Sequence, residues 1–157
     1  MKIRAVLVNN RKAQVELTVR SGHVYPVPFS RLDPSPTSSN RIREAYVDRE
    51  LANEAVTYVL ESGAEGVVHI EQALEYNRDP GYLADLLIHQ LTAEAVQRVD
   101  ASGLSRRELA RRLRTSVPQL YRLLDPTNQR KSLSQLVSLL HVLECDVQLV
   151  VKGRTAA

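Results

Sequence analysis

Residues 104–131 contain eight Lys or Arg and only two Asp or Glu. Cationic groups this concentrated, with so few carboxylates among them, suit a phosphate-bearing polyanion better than bond-breaking chemistry. Arg106, Arg107, Arg111, Arg130 and Lys131 are the side chains expected at phosphates, where they would give affinity without choice of sequence. Thr115, Ser116, Gln119 and Arg122 are of the types that lie against base edges or the adjacent phosphates. A Gln amide pairs bidentately with adenine, and an Arg guanidinium with guanine. If about five phosphates are neutralised, the log–log dependence of binding on salt should have a slope of roughly −4 to −5.

These side chains need two short helices to carry them. Ser105 followed three residues on by Glu108 reads as a capping box that opens a helix over residues 106–113. Ser116 with Gln119 reads as a second box, and Pro118 falls in the first turn, where a missing amide donor costs little. Leu104, Leu109, Ala110 and Leu113 recur at helical spacing on the first helix, and Leu120, Leu123 and Leu124 on the second. That burial would leave Arg106, Arg107, Arg111 and Arg112 outward on the first helix, Arg114 and Thr115 in the turn, and Tyr121 and Arg122 on the open face of the second. A short helix with a polar, cationic N-terminal half can enter the DNA major groove while its partner crosses the phosphates.

The pattern LSxxELAxxLxTSxxxLxRLL over residues 104–124 resembles the helix-turn-helix of the phage repressor and Cro class, often called XRE-like. The resemblance implies a lambda-repressor-like domain of five helices over roughly residues 83–143. It puts Ala110 where the family has a small residue for close helix packing, and Val117, Leu120 and Leu123 at buried positions. It places Ser116, Pro118, Gln119 and Arg122 at the groove. Two residues depart from the family. Arg114 stands where it often has Gly, because the backbone there tends towards positive φ. Pro118 stands where a polar residue is usual and can offer only an apolar contact, such as to a thymine methyl. The function implied is a sequence-specific DNA-binding transcriptional regulator, a repressor by resemblance. One recognition helix reads few base pairs, so a homodimer on a palindromic operator in double-stranded DNA is expected. Antitoxins of this class often repress their own promoters. The alternative is therefore an antitoxin-like module that neutralises a toxin-like protein partner.

The whole chain has 157 residues and a net charge of +3, unevenly placed. Up to Pro80 there are ten Lys or Arg against eleven Asp or Glu; from Gly81 onward the balance is eleven against seven. With no Trp and one Phe, any core must be mainly aliphatic. Lone Cys145 excludes an internal disulfide, no apolar run approaches the ~20 residues of a membrane span, and no signal-peptide apolar region opens the chain. A cytoplasmic protein without membrane contact is the expectation.

The N-terminal half alternates like β structure. Residues 2–20 read as a hairpin about Asn9-Asn10-Arg11, and residues 23–32 (HVYPVPFSRL) as a third strand with Pro26 and Pro28 at an edge. A Pro/Ser-rich loop covers residues 33–40, and strands are expected at 42–48, 55–60 and 67–70, with residues 70–77 starting as a short helix. The opening hairpin, the YPVPFSRL strand and YVDREL followed by a paired strand resemble a small β-rich family of unknown function, which brings no reaction with it. Asp79-Pro80-Gly81 marks the boundary between a β-rich domain, residues 1–79, and the helix-turn-helix domain, residues 80–157. In the latter, a helical pattern from Tyr82 breaks near Thr92, Gly103 ends it, Ser132 and Gln135 form a third capping box, and residues 133–143 are apolar nearly all round. Residues 146–152 (DVQLVVK) read as a short C-terminal strand that must pair with the N-terminal sheet or with its copy in a second subunit. The fold class is thus α+β: a small antiparallel β domain, then five helices and a strand.

Other chemistry is thinly represented. His23, His69, His89 and His141 have no short ligand spacing, so neither a metal nor a cofactor is expected. Tyr25, Tyr46, Tyr58 and Tyr76 fit either a ligand pocket or a core with wet hydroxyls. Without a nucleophile elbow, P-loop or Rossmann fingerprint, an enzyme is not expected.

Overall fold

The computed structural model describes residues 1–154. The protein is α+β, with strands in the N-terminal part and helices towards the C-terminus. It divides into two compact units, Met1–Leu83 and the chain from Ala84 onward.

The first unit holds two three-stranded antiparallel meanders. One consists of β1 (Ile3–Asn9), β2 (Gln14–Val19) and β3 (Val24–Pro28); the other of β4 (Ile42–Val47), β5 (Ala55–Leu60) and β6 (Glu65–His69). Strand β2 shows the period-two logic plainly. Val15, Leu17 and Val19 are buried, and Gln14, Glu16 and Thr18 between them are only half-buried. All six residues of β5 are buried, as befits a central strand covered on both faces. Each Val or Leu fully removed from water there contributes roughly 1.5–3 kcal/mol. Both meanders begin with Ile-Arg, and both first strands carry a register shift at that Arg, Arg4 in β1 and Arg43 in β4. This internal repeat is too short to stand out in the sequence.

Strand β3 stops at Pro28, short of residue 32, and Phe29–Arg31 form a 3-10 turn. Pro26 and Pro28 have no amide to continue the ladder, and the Phe29 amide turns to the Ala13 carbonyl at 2.8 Å. Helix α1 (Ile70–Tyr76) follows β6 directly, its start fixed by Gln72 Oε1 accepting from the His69 amide at 2.9 Å. Tyr25 and Tyr58 belong to the core, whereas Tyr46 and Tyr76 are exposed. The Tyr58 hydroxyl donates to the Pro34 carbonyl at 2.8 Å, and burial pushes its pKa up to about 12. Asp79 accepts from the Tyr25 hydroxyl at 2.8 Å and the Tyr82 amide at 2.9 Å. It thereby caps helix α2 (Pro80–Ala101), which begins in the first unit and continues into the second.

Helix α2 is continuous, with no break at Thr92. The buried Thr92 hydroxyl donates to the Ile88 carbonyl one turn back, at 2.7 Å, so it is satisfied inside the helix instead of capping a new one. The second unit therefore contains four helices among the described residues, not five: the part of α2 from Ala84, α3 (Arg106–Arg112), α4 (Val117–Leu124) and α5 (Leu133–Val142). Their core is Ala95, Val99, Leu109, Ala110, Leu120, Leu123, Leu124, Leu136, Leu139 and Leu140. Although apolar nearly all round, helix α5 is not buried on every side, because Leu133 and His141 are exposed. Residues 146–152 form no strand, and Leu149, Val150 and Val151 are 81%, 71% and 85% exposed. For a segment that is not paired with another strand, β propensity alone does not make a strand. Among the described residues no helix is long and apolar enough to cross a membrane.

Candidate nucleic-acid interface

Helix α3 starts where Ser105 Oγ accepts the Glu108 amide at 3.1 Å. The capping box is only half made. The Glu108 carboxylate turns outward to Arg111, which donates through Nε at 2.9 Å and Nη2 at 2.6 Å, and to Arg112 Nε at 2.9 Å. Those bonds, Arg111 first, lower the Glu108 pKa to about 2. The helix ends in a Schellman turn: the Thr115 amide reaches the Ala110 carbonyl at 2.9 Å and the Arg114 amide the Arg111 carbonyl at 3.1 Å. Arg114 is the left-handed residue of that turn, with φ of 56°. The turn delivers Ser116, whose Oγ accepts the Gln119 amide at 3.3 Å and starts α4. Pro118 sits in the first turn of α4, exposed, where its missing amide breaks no intrahelical bond.

Leu120, Leu123 and Leu124 of α4 face the core, which leaves Gln119, Tyr121 and Arg122 exposed. Beyond the helix the loop folds back on it. Asn128 Nδ2 donates to the Arg122 carbonyl at 3.1 Å, and Asn128 Oδ1 accepts the Arg130 amide at 3.0 Å. Between this loop, the α3–α4 turn and the first turns of α5 lies an open groove of about 570 Å³. Thr115, Gln119, Arg122 and Arg130 line it together with Arg114. Ser116 and Pro118 are not in its lining but at the exposed start of α4.

The expected phosphate contacts divide into three kinds. Arg107 and Arg130 are exposed and make no ion pair among the described residues. Arg106 and Arg111 are already paired, with Asp100 at 3.0 Å and with Glu108. Lys131 is the third kind, buried and not exposed as expected. It is 8% exposed, and its ammonium donates to the carbonyls of Leu123, at 2.9 Å, and Asp125. Burial lowers its pKa, against the opposing charge of Asp125. Lys131 closes the C-terminus of α4, where free carbonyls attract a cation, and lies in the wall of the groove with its ammonium turned to those carbonyls.

The groove also holds residues that the sequence reading did not assign: Arg114, Asn128, Ser134, Gln135 and Ser138. The signal for the last three was their spacing, since they are polar positions on one side of a helix whose Leu136, Leu139 and Leu140 are buried. Gln135 is partly committed, because its Oε1 accepts from the Ser132 amide at 3.4 Å in a complete capping box. Among the described residues no group of three or more His, Cys, Asp or Glu is placed to hold a metal ion. No protein-family model, curated protein or solved structure matches the chain.

Proposed function

We propose that this protein is a sequence-specific DNA-binding regulator of the XRE-like helix-turn-helix kind, with α4 as the helix that enters the major groove. The observation that carries this reading is the groove beside α4. There Arg114, Arg122 and Arg130, free of ion pairs among the described residues, line one open groove with Gln119, a set of groups that would suit a polyanion. Gln119 and Arg122 would read bases, with Thr115, Ser116 and Pro118 beside them. Arg107, Arg114 and Arg130 would meet phosphates, reinforced by Arg106 and Arg111 if DNA displaces their carboxylates. With Lys131 withdrawn and about four phosphates neutralised, the salt slope becomes roughly −3.5.

The test is titration of the purified protein with labelled DNA from its own promoter, across salt and against unrelated DNA. Specific binding that loses its sequence preference in Gln119→Ala and Arg122→Ala supports the reading. Weak binding with no preference, unchanged in both variants, refutes it.

A regulator of this kind acts as a homodimer, and residues 146–152 offer a means. Paired antiparallel with its own copy about Leu149, this segment sets Asp146 opposite Lys152, Val147 opposite Val151 and Gln148 opposite Val150. Opposite charges at the ends, with Val147–Val151 and Leu149–Leu149 as apolar pairs on one face, make the segment self-complementary, as a two-fold interface requires. Ending the chain at Cys145 should raise the dimer dissociation constant in analytical ultracentrifugation. A truncated protein as dimeric as the full chain would exclude the strand pairing while leaving DNA recognition by α4 untouched.

A further inference from the structure

The first unit carries a second cationic site. Arg4, Arg20 and Arg49 line one open pocket of about 870 Å³ with Tyr46, a volume in the range of small-molecule sites. Three different chain segments bring the arginines there. Arg4 sits at the register shift of β1, and a bulge is a common device for re-aiming one side chain. Arg20 follows the last residue of β2. Arg49 stands in the turn between β4 and β5, which Asp48 holds in shape. Asp48 Oδ1 accepts from the amides of Glu50 at 2.9 Å and Leu51 at 3.1 Å, and Oδ2 accepts from the Thr57 hydroxyl at 2.8 Å. The Asn53 carbonyl, in turn, accepts the Ile3 amide at 2.7 Å and ties this turn to the start of β1. The arginines therefore project from an ordered frame.

Their charge is only partly offset in place. None of the three forms an ion pair among the described residues, and nearby Glu54 is engaged by Lys2 at 3.1 Å and by the terminal amine. Asp48 and Glu50 also line the pocket, so three arginines share it with two carboxylates and an excess of positive charge remains. Tyr46 is 44% exposed and lines the same pocket as the three arginines. The Asn53 side chain, half-buried in the lining, makes no hydrogen bond among the described residues, so its amide is free both to donate and to accept. Clustered unpaired arginines call for a phosphate, an exposed aromatic for a planar ring, and a free amide for a ring edge.

We propose that this pocket binds a nucleotide, its phosphates on Arg4, Arg20 and Arg49 and its base against Tyr46. The site does not depend on the DNA-binding reading.

Calorimetric titration of the full chain with ADP, pyrophosphate and adenosine tests it. ADP should bind more tightly than pyrophosphate, and adenosine weakest of the three. Arg4→Ala, Arg20→Ala and Arg49→Ala should each weaken ADP roughly ten-fold or more, as loss of a charge-assisted hydrogen bond does. Tyr46→Ala should erase the difference between ADP and pyrophosphate, and Arg122→Ala should leave ADP binding unchanged. All four positions in the pocket are exposed, so the variants should keep the parent's circular dichroism and melting temperature. No heat with ADP, or ADP affinity unchanged in the three arginine variants, overturns the proposal. Pyrophosphate binding as tightly as ADP overturns the nucleotide and leaves an anion site.

Discussion

Arg114 is held at φ of 56° by a Schellman turn whose two hydrogen bonds are both backbone to backbone. Arg114→Gly leaves those bonds in place and removes the Cβ that opposes the left-handed conformation, a relief of about 1–2 kcal/mol. Glycine returns part of that gain, roughly 0.5–1 kcal/mol, through the greater freedom of the unfolded chain. The net expectation is stabilisation by about 0.5–1 kcal/mol and a rise of a few degrees in melting temperature. The same change removes a cation from the groove beside α4. If that groove faces phosphates, the salt slope of DNA binding should lose about 0.9 and affinity should fall, with the preference for specific DNA unchanged. Stability and affinity thus move in opposite directions, which a merely damaged protein cannot mimic. Thermal and urea melts followed by circular dichroism read the first, and fluorescence anisotropy of labelled DNA at several salt concentrations reads the second. Glu144, at φ of 58°, ends α5 in the same turn, with the Cys145 amide on the Leu140 carbonyl at 2.9 Å, and lies outside the groove. Glu144→Gly should therefore stabilise by a similar amount without lowering DNA affinity. A lower melting temperature in Arg114→Gly would refute the backbone argument, and an unchanged salt slope would remove Arg114 from the interface.

Three further outcomes follow from the geometry. Lys131→Met should cost about 1–3 kcal/mol, because the Leu123 and Asp125 carbonyls lose their donor, and should leave the salt slope unaltered; a slope reduced by about one with unchanged stability would return Lys131 to the phosphates. Glu108 has a folded-state pKa of about 2, below its ordinary 4.5, so its bonds to Arg111 and Arg112 stabilise the fold above pH 4.5 and are lost as pH falls towards 2. Glu108→Gln should flatten that stretch of the stability–pH curve and tighten DNA binding at low salt by releasing two arginines; weaker binding would mean that Glu108 orients them productively. A Cβ at Gly66 would meet the Tyr58 hydroxyl and lie 2.7 Å from the Asp33 carbonyl oxygen, so Gly66→Ala should destabilise by about 3 kcal/mol, and a parental melting temperature would show that the first unit absorbs it without strain.

The sequence was most legible where a local signal and a long-range requirement coincided. Val15, Leu17 and Val19 alternate because one face of β2 is buried, and that burial is observed. Ser105, Ser116 and Ser132 all cap helices, since a cap needs only its own next turn. Legibility failed where a residue had two partners of comparable worth. Glu108 could return to the Ser105 amide or reach forward to two guanidinium groups, and the ionic bonds prevailed. Thr92 could cap a new helix or donate to Ile88 within the old one, and the uninterrupted ladder prevailed. Lys131 looked like one more member of a basic run because a sequence does not show a loop folding back over α4. The pocket about Arg4, Arg20 and Arg49 was illegible for a related reason: its arginines come from three segments that meet only once the strands are paired.

These commitments change what the basic segment can do. Eight cations in residues 104–131 suggest a strongly electrostatic protein, yet Lys131 is buried and Arg106, Arg111 and Arg112 already hold carboxylates. Only Arg107, Arg114, Arg122 and Arg130 remain without an ion pair among the described residues, and three of these line the groove with Gln119. Phosphate contacts give affinity to every sequence alike, so fewer of them lower non-specific binding and leave a larger share of the free energy to base edges. If the protein binds DNA as proposed, non-specific DNA would bind weakly at moderate salt, and Glu108 would set that floor by keeping two arginines occupied until a matched site offers phosphates in the right places. On this reasoning Glu108→Gln should tighten binding to unrelated DNA more than binding to the operator, lowering the specificity ratio even as both affinities rise. Equal gains on both sequences would show that the carboxylate screens the field without contributing to discrimination.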